Sequence, residues 1–201
     1  MAGDEVVSAG IAARKAALRA TLLAARRGMS ETGRADAARA LRDAVLGDPR
    51  TQMAGTVAAY VSVGSEPGSR ALIFALWKRG SYVLLPLLRA DGDLDWASYE
   101  GPDSLIPGPR GLLQPAQPPR GVTAITSADL VIVPALAADR RGSRLGRGGG
   151  SYDRALARVG PAVPTVALLY DGELLDEVPV THRDQPVRAV ARPGDGITRL
   201  A

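Results

Sequence analysis

The sequence predicts an α/β protein: one three-layer domain over residues 1–201, with a largely parallel central sheet flanked by helices. Three observations carry this. Short β-rich runs alternate with segments of helical period, the pattern of repeated strand–helix–strand units. Two of the runs, Ser81 to Leu87 and Asp129 to Pro134, are almost wholly apolar, as strands buried on both faces of a sheet must be. The chain has 201 residues, 46% hydrophobic and 23% charged, enough to bury a core of its own.

The elements follow in order. Ile11, Leu18, Leu22, Ala25 and Met29 keep the 3.6-residue period and predict a helix over 11–29. Lys15, Arg19 and Arg26 fall on the edge of its apolar stripe and so point along the surface. They are read either as a solvated basic face or as cations facing an anion. Ser30 and Glu31 open a second helix to about Leu46, stopped by Gly47-Asp48-Pro49. Thr56 to Val63 is the first core strand, and Gly64 to Gly68 is a tight loop after it. Ser69 caps a helix through Trp77 and Lys78 that Gly80 closes. Ser81 to Leu87 is the second strand, and Leu94 to Tyr99 alternates as an edge strand does. Gly101 to Gly121 is rich in Pro and Gly and forms the longest irregular stretch. Asp129 to Pro134 is the clearest parallel strand. Ala135 to Gly150 is the loop after it, followed by a helix over 151–159. Thr165 to Tyr170 and Val187 to Ala191 complete the sheet. Ligands of such sheets sit beyond the carboxyl ends of the strands. The loops 64–68 and 142–150 are therefore the candidate walls of a site.

Composition excludes several chemistries. The chain has no cysteine, so it has no disulfide, thiolate metal site or thiol nucleophile. Its longest uncharged run, Thr51 to Ser65, is too short and too polar to span a bilayer. Residues 1–10 lack the apolar core of a signal peptide, which predicts a cytoplasmic protein with no membrane partner. Net charge is +4, and 23 of the 25 basic side chains are arginine. Base composition of the genome explains such a bias, and so do anionic partners. Arginine therefore informs by position only, whereas Lys15 and Lys78 stand out by scarcity. His182, the one histidine, reads as a surface residue.

The segment Gly142-Ser143-Arg144-Leu145-Gly146-Arg147-Gly148-Gly149-Gly150-Ser151-Tyr152-Asp153 carries the most chemistry. Glycines let backbone N–H groups approach an anion, and a helix start adds a favourable dipole. Arg144 and Arg147 supply charge-assisted donors to phosphate oxygens. The loop lacks the Lys of a Walker A motif, and it follows a late strand, unlike a dinucleotide fingerprint. A merely flexible connection is the bland alternative.

Asp129 to Leu156, DLVIVPALAADRRGSRLGRGGGSYDRAL, resembles the signature of the 5-formyltetrahydrofolate cyclo-ligase (5,10-methenyltetrahydrofolate synthetase) family, D-L-[VI]-[VIL]-V-P-G-L-x-F-D-x-x-G-x-R-[LI]-G-x-G-x-G-[YF]-Y-D-R. Lys15-Ala16-Ala17-Leu18-Arg19 resembles its N-terminal K-x-x-L-R. Ser65 to Ser69 is similar to its E-[VIP]-x-[TS] loop, Gly111 to Pro115 to its G-[IL]-x-[EQ]-P loop, and Val178-Pro179 with Asp184 to its terminal [VL]-P-x-x-x-x-D.

The resemblance implies conversion of 5-formyltetrahydrofolate and ATP, with Mg²⁺, to 5,10-methenyltetrahydrofolate, ADP and phosphate. The expected partners are small molecules, reduced folate and ATP, with no nucleic acid, and the chain is expected to be a monomer. Lys15 and Arg19 are similar to the family's phosphate-binding pair. Arg144, Gly146, Arg147, Gly148, Gly149, Gly150, Ser151, Tyr152 and Asp153 fall in its nucleotide loop, with Arg147 and Lys15 the catalytic candidates. Glu66 matches the acid that holds the folate head group, and Val61, Trp96 and Tyr152 are the other candidates for the folate wall. Core packing is the alternative for Trp96. Asp153 and Asp184 match the magnesium-associated acids; a helix-start acid and a turn residue are their bland alternatives. Three positions depart from the pattern: Ala135 for Gly, Ala138 for Phe and Ser151 for an aromatic. A rival reading is a diverged, non-catalytic relative that binds nucleotide or RNA. The eight aromatic residues do not interleave with the basic runs, which counts against RNA.

Overall fold

The computed structural model describes residues 2–200. Helix α1 (Ala2–Gly28) is followed by α2 (Glu31–Gly47) and the short α3 (Pro49–Met53). Ser30 caps α2 by accepting from the Gly33 N–H, and Asp48 caps α3 by accepting from Arg50 and Thr51. Helix α1 begins upstream of the expected Ile11. Ser8, Ala9 and Gly10 are exposed, so that stretch carries no apolar stripe by which its helix could be read.

Strands β1 (Thr56–Ala58), β2 (Tyr82–Leu88) and β3 (Leu94–Ser98) enclose α4 (Arg70–Lys78) in the chain. A hairpin of β4 (Leu105–Pro107) and β5 (Leu113–Pro115) follows, then β6 (Leu130–Pro134). Next come β7 (Ala137–Asp139), β8 (Arg144–Leu145), α5 (Ser151–Leu156), β9 (Thr165–Leu168), β10 (Leu174–Leu175), β11 (Ala189–Arg192) and β12 (Gly196–Arg199). The main sheet has the order β12-β11-β9-β6-β1-β2-β3. Its five inner strands are parallel, and β3 and β12 close the two edges antiparallel. Strands β10, β7 and β8 form a second, small sheet.

The three layers come from alternation along each strand. Leu130 and Ile132 pack with Leu41, Val45, Leu72 and Leu76 of α2 and α4. Val131 and Val133 point the other way, among Ile125, Ala155 and Leu156. Both faces of β6 are buried, as its uninterrupted apolar run requires. Leu22 of α1 packs on the small sheet through Leu136, Ala137, Leu145 and Val178. Among the described residues, no helix is long and apolar enough to cross a membrane.

Several expectations are corrected. The first strand stops at Ala58 and not at Val63. The last contact with β2 is Ala59 N–H to Leu84 O at 2.9 Å, and the chain then leaves the sheet. Ser62 and Ser69 exchange bonds, each backbone N–H donating to the other's hydroxyl at 2.9 and 3.1 Å. The Ser69 hydroxyl donates in turn to Tyr60 O, so it ties the loop and does not cap α4. Pro86 of β2 lies past the end of β1, where its missing N–H leaves no ladder bond unmade. The irregular stretch 101–121 contains the β4–β5 hairpin, and the loop 135–150 contains β7 and β8. Helix α5 ends at Leu156; Arg158 and Val159 continue in tighter turns that bond three residues back. Strand β12 was not expected.

Gly142 belongs to this framework. Its φ is +84°, and a Cβ there would collide with the Val187 carbonyl oxygen. The Val187 N–H donates to Gly142 O at 2.9 Å, which docks the segment before β11 on the β7–β8 turn. Gly142→Ala should cost about 1–3 kcal/mol for the backbone conformation alone, with the collision added. Chemical denaturation measures it, and an unchanged midpoint contradicts this role.

Candidate active site

A cavity of about 1000 Å³ opens beyond the carboxyl ends of β1, β2 and β6. Its polar lining comes from Lys15 and Arg19 of α1, the loop from β8 to α5, and Asp184. Its apolar lining includes Val61, Leu88, Leu94, Leu112 and Leu113. Glu66 and Tyr152 line the cavity as well.

The glycine loop has a definite shape. Gly148 and Gly150 take φ of +106° and +68°, a region that L side chains rarely adopt. Arg19 Nε donates to Gly146 O at 2.8 Å, and its guanidinium lies against Gly148, 3.5 Å from where a Cβ would stand. Helix α1 thus fixes the start of the loop. At its end, α5 is only six residues long, so its dipole is small. The donors this loop could offer an anion are therefore its N–H groups and the side-chain cations beside it.

Three ion pairs line the cavity. Lys15 Nζ meets Asp184 Oδ2 at 2.6 Å, with both side chains largely buried. Arg144, itself buried, meets Asp153 Oδ1 at 2.5 Å. Arg147 Nε meets Glu66 Oε1 at 3.2 Å, where the Glu66 side chain is 8% exposed and that of Arg147 51%. The same acids tie the chain together. Asp184 Oδ2 also accepts from the Thr181 N–H and hydroxyl, and Asp153 Oδ1 accepts from the Gln185 N–H at 3.1 Å. Asp153 and Asp184 therefore stand at one end of the cavity. Among the described residues nothing donates to Asp153 Oδ2 or Asp184 Oδ1.

Burial works to raise the Asp184 carboxyl, but the Lys15 and Thr181 donors outweigh it and hold the pKa below the usual range. Glu66 goes the other way: burial lifts it, against the Val63 N–H, Arg147 and Arg26. Its Oε2 accepts from Val63 N–H at 3.0 Å. The Tyr60 and Tyr152 hydroxyls are pushed up by burial and then by the Glu66 charge, so both stay neutral donors.

The residues singled out in the sequence do not all meet here. Lys15, Arg19, Arg144, Gly146 to Asp153, Glu66, Val61 and Asp184 line the cavity. Trp96 does not. It has no exposed surface and lies in the core among Leu84, Val131 and Val133, so it is no part of the wall. Ala138 is equally buried in β7, and its small side chain opens no space in the cavity. The Ser151 hydroxyl donates to Gly92 O at 2.6 Å, joined there by Arg154, so this position ties the β2–β3 turn to α5. The two loops expected as walls of the site, that of Glu66 and that of the glycines, touch through Arg147.

Arg26, expected along the surface, is 1% exposed. Its guanidinium grips Glu173 with two bonds of 2.7 Å, donates to Ala135 O, and lies 5.3 Å from the centre of the Tyr170 ring. The signal was its register: it follows Leu22 by four residues and precedes Met29 by three, on the apolar face.

The family model described as the 5-formyltetrahydrofolate cyclo-ligase family matches residues 11–193. The chain belongs to that family. A 5-formyltetrahydrofolate cyclo-ligase of Mycolicibacterium smegmatis is 42% identical over 192 residues, covering 92% of this chain and 97% of its own. The cyclo-ligase of Escherichia coli K12 is 34% identical over 148 residues, covering 72% and 81%. In fold, the chain matches the 5,10-methenyltetrahydrofolate synthetase of Aquifex aeolicus with a TM-score of 0.80, over 92% of both chains at 24% identity. The stretch matched by the cyclo-ligase family model contains every residue of the three ion pairs, from Lys15 to Asp184.

The buried Glu66 carries a stability cost. Its raised pKa means that the folded chain holds the proton more tightly than the unfolded one. Stability is therefore intact below the ordinary carboxylate range and falls as pH rises through the raised value. Glu66→Gln should melt higher than the parent at about pH 7, and the advantage should vanish toward about pH 4. A variant less stable at neutral pH would show that the Arg147 pair outweighs burial.

Proposed function

We propose that the protein cyclises 5-formyltetrahydrofolate to 5,10-methenyltetrahydrofolate at the expense of ATP, which leaves as ADP and phosphate. One observation carries the reading: a single cavity joins a cation-lined glycine loop to a buried carboxylate beside an apolar wall. The first suits a triphosphate and the second a flat, N–H-bearing ring.

The chemistry needs no nucleophilic side chain. The formyl oxygen attacks the γ-phosphorus of ATP, and the bond to ADP breaks. N10 of the folate then attacks the activated carbon, the carbon–oxygen bond breaks, and phosphate departs together with the N10 proton. Phosphoryl transfer of this kind rests on positioning and charge stabilisation. Lys15, Arg144 and Arg147 supply the charge, and Arg19 keeps the loop in place through Gly146. Glu66 accepts from the N–H edge of the ring. Tyr152, held neutral by its burial, covers that ring and leaves proton traffic to the substrates.

Magnesium fits the acids present. Asp153 and Asp184 stand together, and each keeps one oxygen without a donor among the described residues. Mg²⁺ is held in such sites by one or two carboxylates together with substrate phosphates. These two residues would hold it, and it would neutralise phosphate charge.

The test is the absorbance rise of methenyltetrahydrofolate on mixing the protein with 5-formyltetrahydrofolate, ATP and Mg²⁺. Turnover that requires all three is expected; its absence under these conditions refutes the reading. Lys15→Ala should raise the KM for ATP by about tenfold or more, since a charged hydrogen bond is worth about 1.5–3 kcal/mol. An unchanged KM removes Lys15 from the phosphate site.

A further inference from the structure

The three ion pairs are not equivalent. On the function proposed above, Lys15 with Asp184 and Arg144 with Asp153 each join groups on the nucleotide side. Arg147 and Glu66 join the two sides. The Glu66 carboxylate is nearly buried, and Oε2 is committed to the Val63 N–H. The oxygen that remains, Oε1, is the one Arg147 covers. A pterin edge needs that oxygen as an acceptor, and a triphosphate needs that guanidinium as a donor.

We propose that the Arg147–Glu66 pair is a latch between the two substrate sites, so that each substrate, on binding, favours the other. Whichever substrate comes first must separate the pair. The second finds its partner already released and binds more tightly by the free energy of that separation. Linkage makes the effect equal in both directions. The loop is built for the exchange. Arg19 clamps Gly146 on one side of Arg147, while the Arg147 side chain is half exposed and free of other partners among the described residues. The backbone can stay in place while the side chain swings. Arg147 is thus a coupling residue in addition to a phosphate ligand, and Glu66 holds the nucleotide site closed until one substrate arrives.

The inference rests on the cyclo-ligase reading, and calorimetry with a non-hydrolysable ATP analogue and Mg²⁺ tests the two separately. No turnover occurs with the analogue, so both ligands are measured at equilibrium. For the parent protein, the dissociation constant of the analogue should fall about fivefold or more when 5-formyltetrahydrofolate is saturating, within the usual range of coupling between sites. Glu66→Gln, which keeps the shape but lacks the charge, should bind the analogue more tightly than the parent when folate is absent. The folate should then add nothing. Arg147→Gln should weaken the analogue and likewise abolish the coupling. A purely structural role for Glu66 would not tighten nucleotide binding. An analogue affinity unchanged or weakened in Glu66→Gln overturns the latch, and so does a parent protein in which the two ligands bind independently. Failure of the parent to bind the analogue at all contradicts the cyclo-ligase reading itself and takes the latch with it.

Discussion

Each of the three acids that line the cavity is paired with a cation. Lys15 lies on Asp184, Arg144 on Asp153 and Arg147 on Glu66. A partly buried site with that many charges is costly if any is left alone, because an unpaired charge in low dielectric forfeits its hydration. Pairing offsets that cost in the free protein, fully at Asp184 and only in part at Glu66, whose carboxyl burial still raises. It also sets the terms of binding, because a ligand that takes one member must satisfy the other. On the proposed reading the ligands do so: phosphate oxygens replace carboxylates on the cations, and a metal ion or a ring N–H replaces the cations on the carboxylates.

The rest of the fold serves to bring these six side chains together from distant parts of the chain. Helix α1 lies across the carboxyl ends of the strands and delivers Lys15. Its C-terminal half is anchored by the buried Arg26–Glu173 pair and by Leu22 on the small sheet. The β7–β8 turn seats the segment that carries Asp184 through Gly142, while Gln185 N–H ties the same segment to Asp153. Ser151, Arg154 and Arg158 fasten α5 to the β2–β3 turn, where Arg158 meets Asp93 with bonds of 3.0 and 2.6 Å. Each fastening reaches the site from outside, so the loop needs little structure of its own.

Much of this was legible in the sequence. The parallel core was, because Leu130 to Val133 is apolar without a break, and only a strand covered on both faces tolerates that. The glycine loop was, because its residue types leave few alternatives. Strand lengths were less so: the apolar run from Thr56 continues to Val63, whereas the sheet ends where Ser62 and Ser69 bond each other. Strand β12 is half exposed and mixed in character, so neither alternation nor an apolar run marks it. Trp96 was ambiguous because an aromatic residue on an edge strand reads alike whether it faces a ligand or the core. The contact of Arg147 with Glu66 had no local signal whatever. It follows from the way loops far apart in sequence meet above the sheet.

The most direct measurement is the structure of the protein with Mg²⁺ and a non-hydrolysable ATP analogue. Exchange of partners predicts that Lys15 Nζ leaves Asp184 for a phosphate oxygen and that Arg147 parts from Glu66. Asp153 and Asp184 then face the metal ion. A triphosphate bound with the Lys15–Asp184 and Arg147–Glu66 pairs both intact would contradict the account.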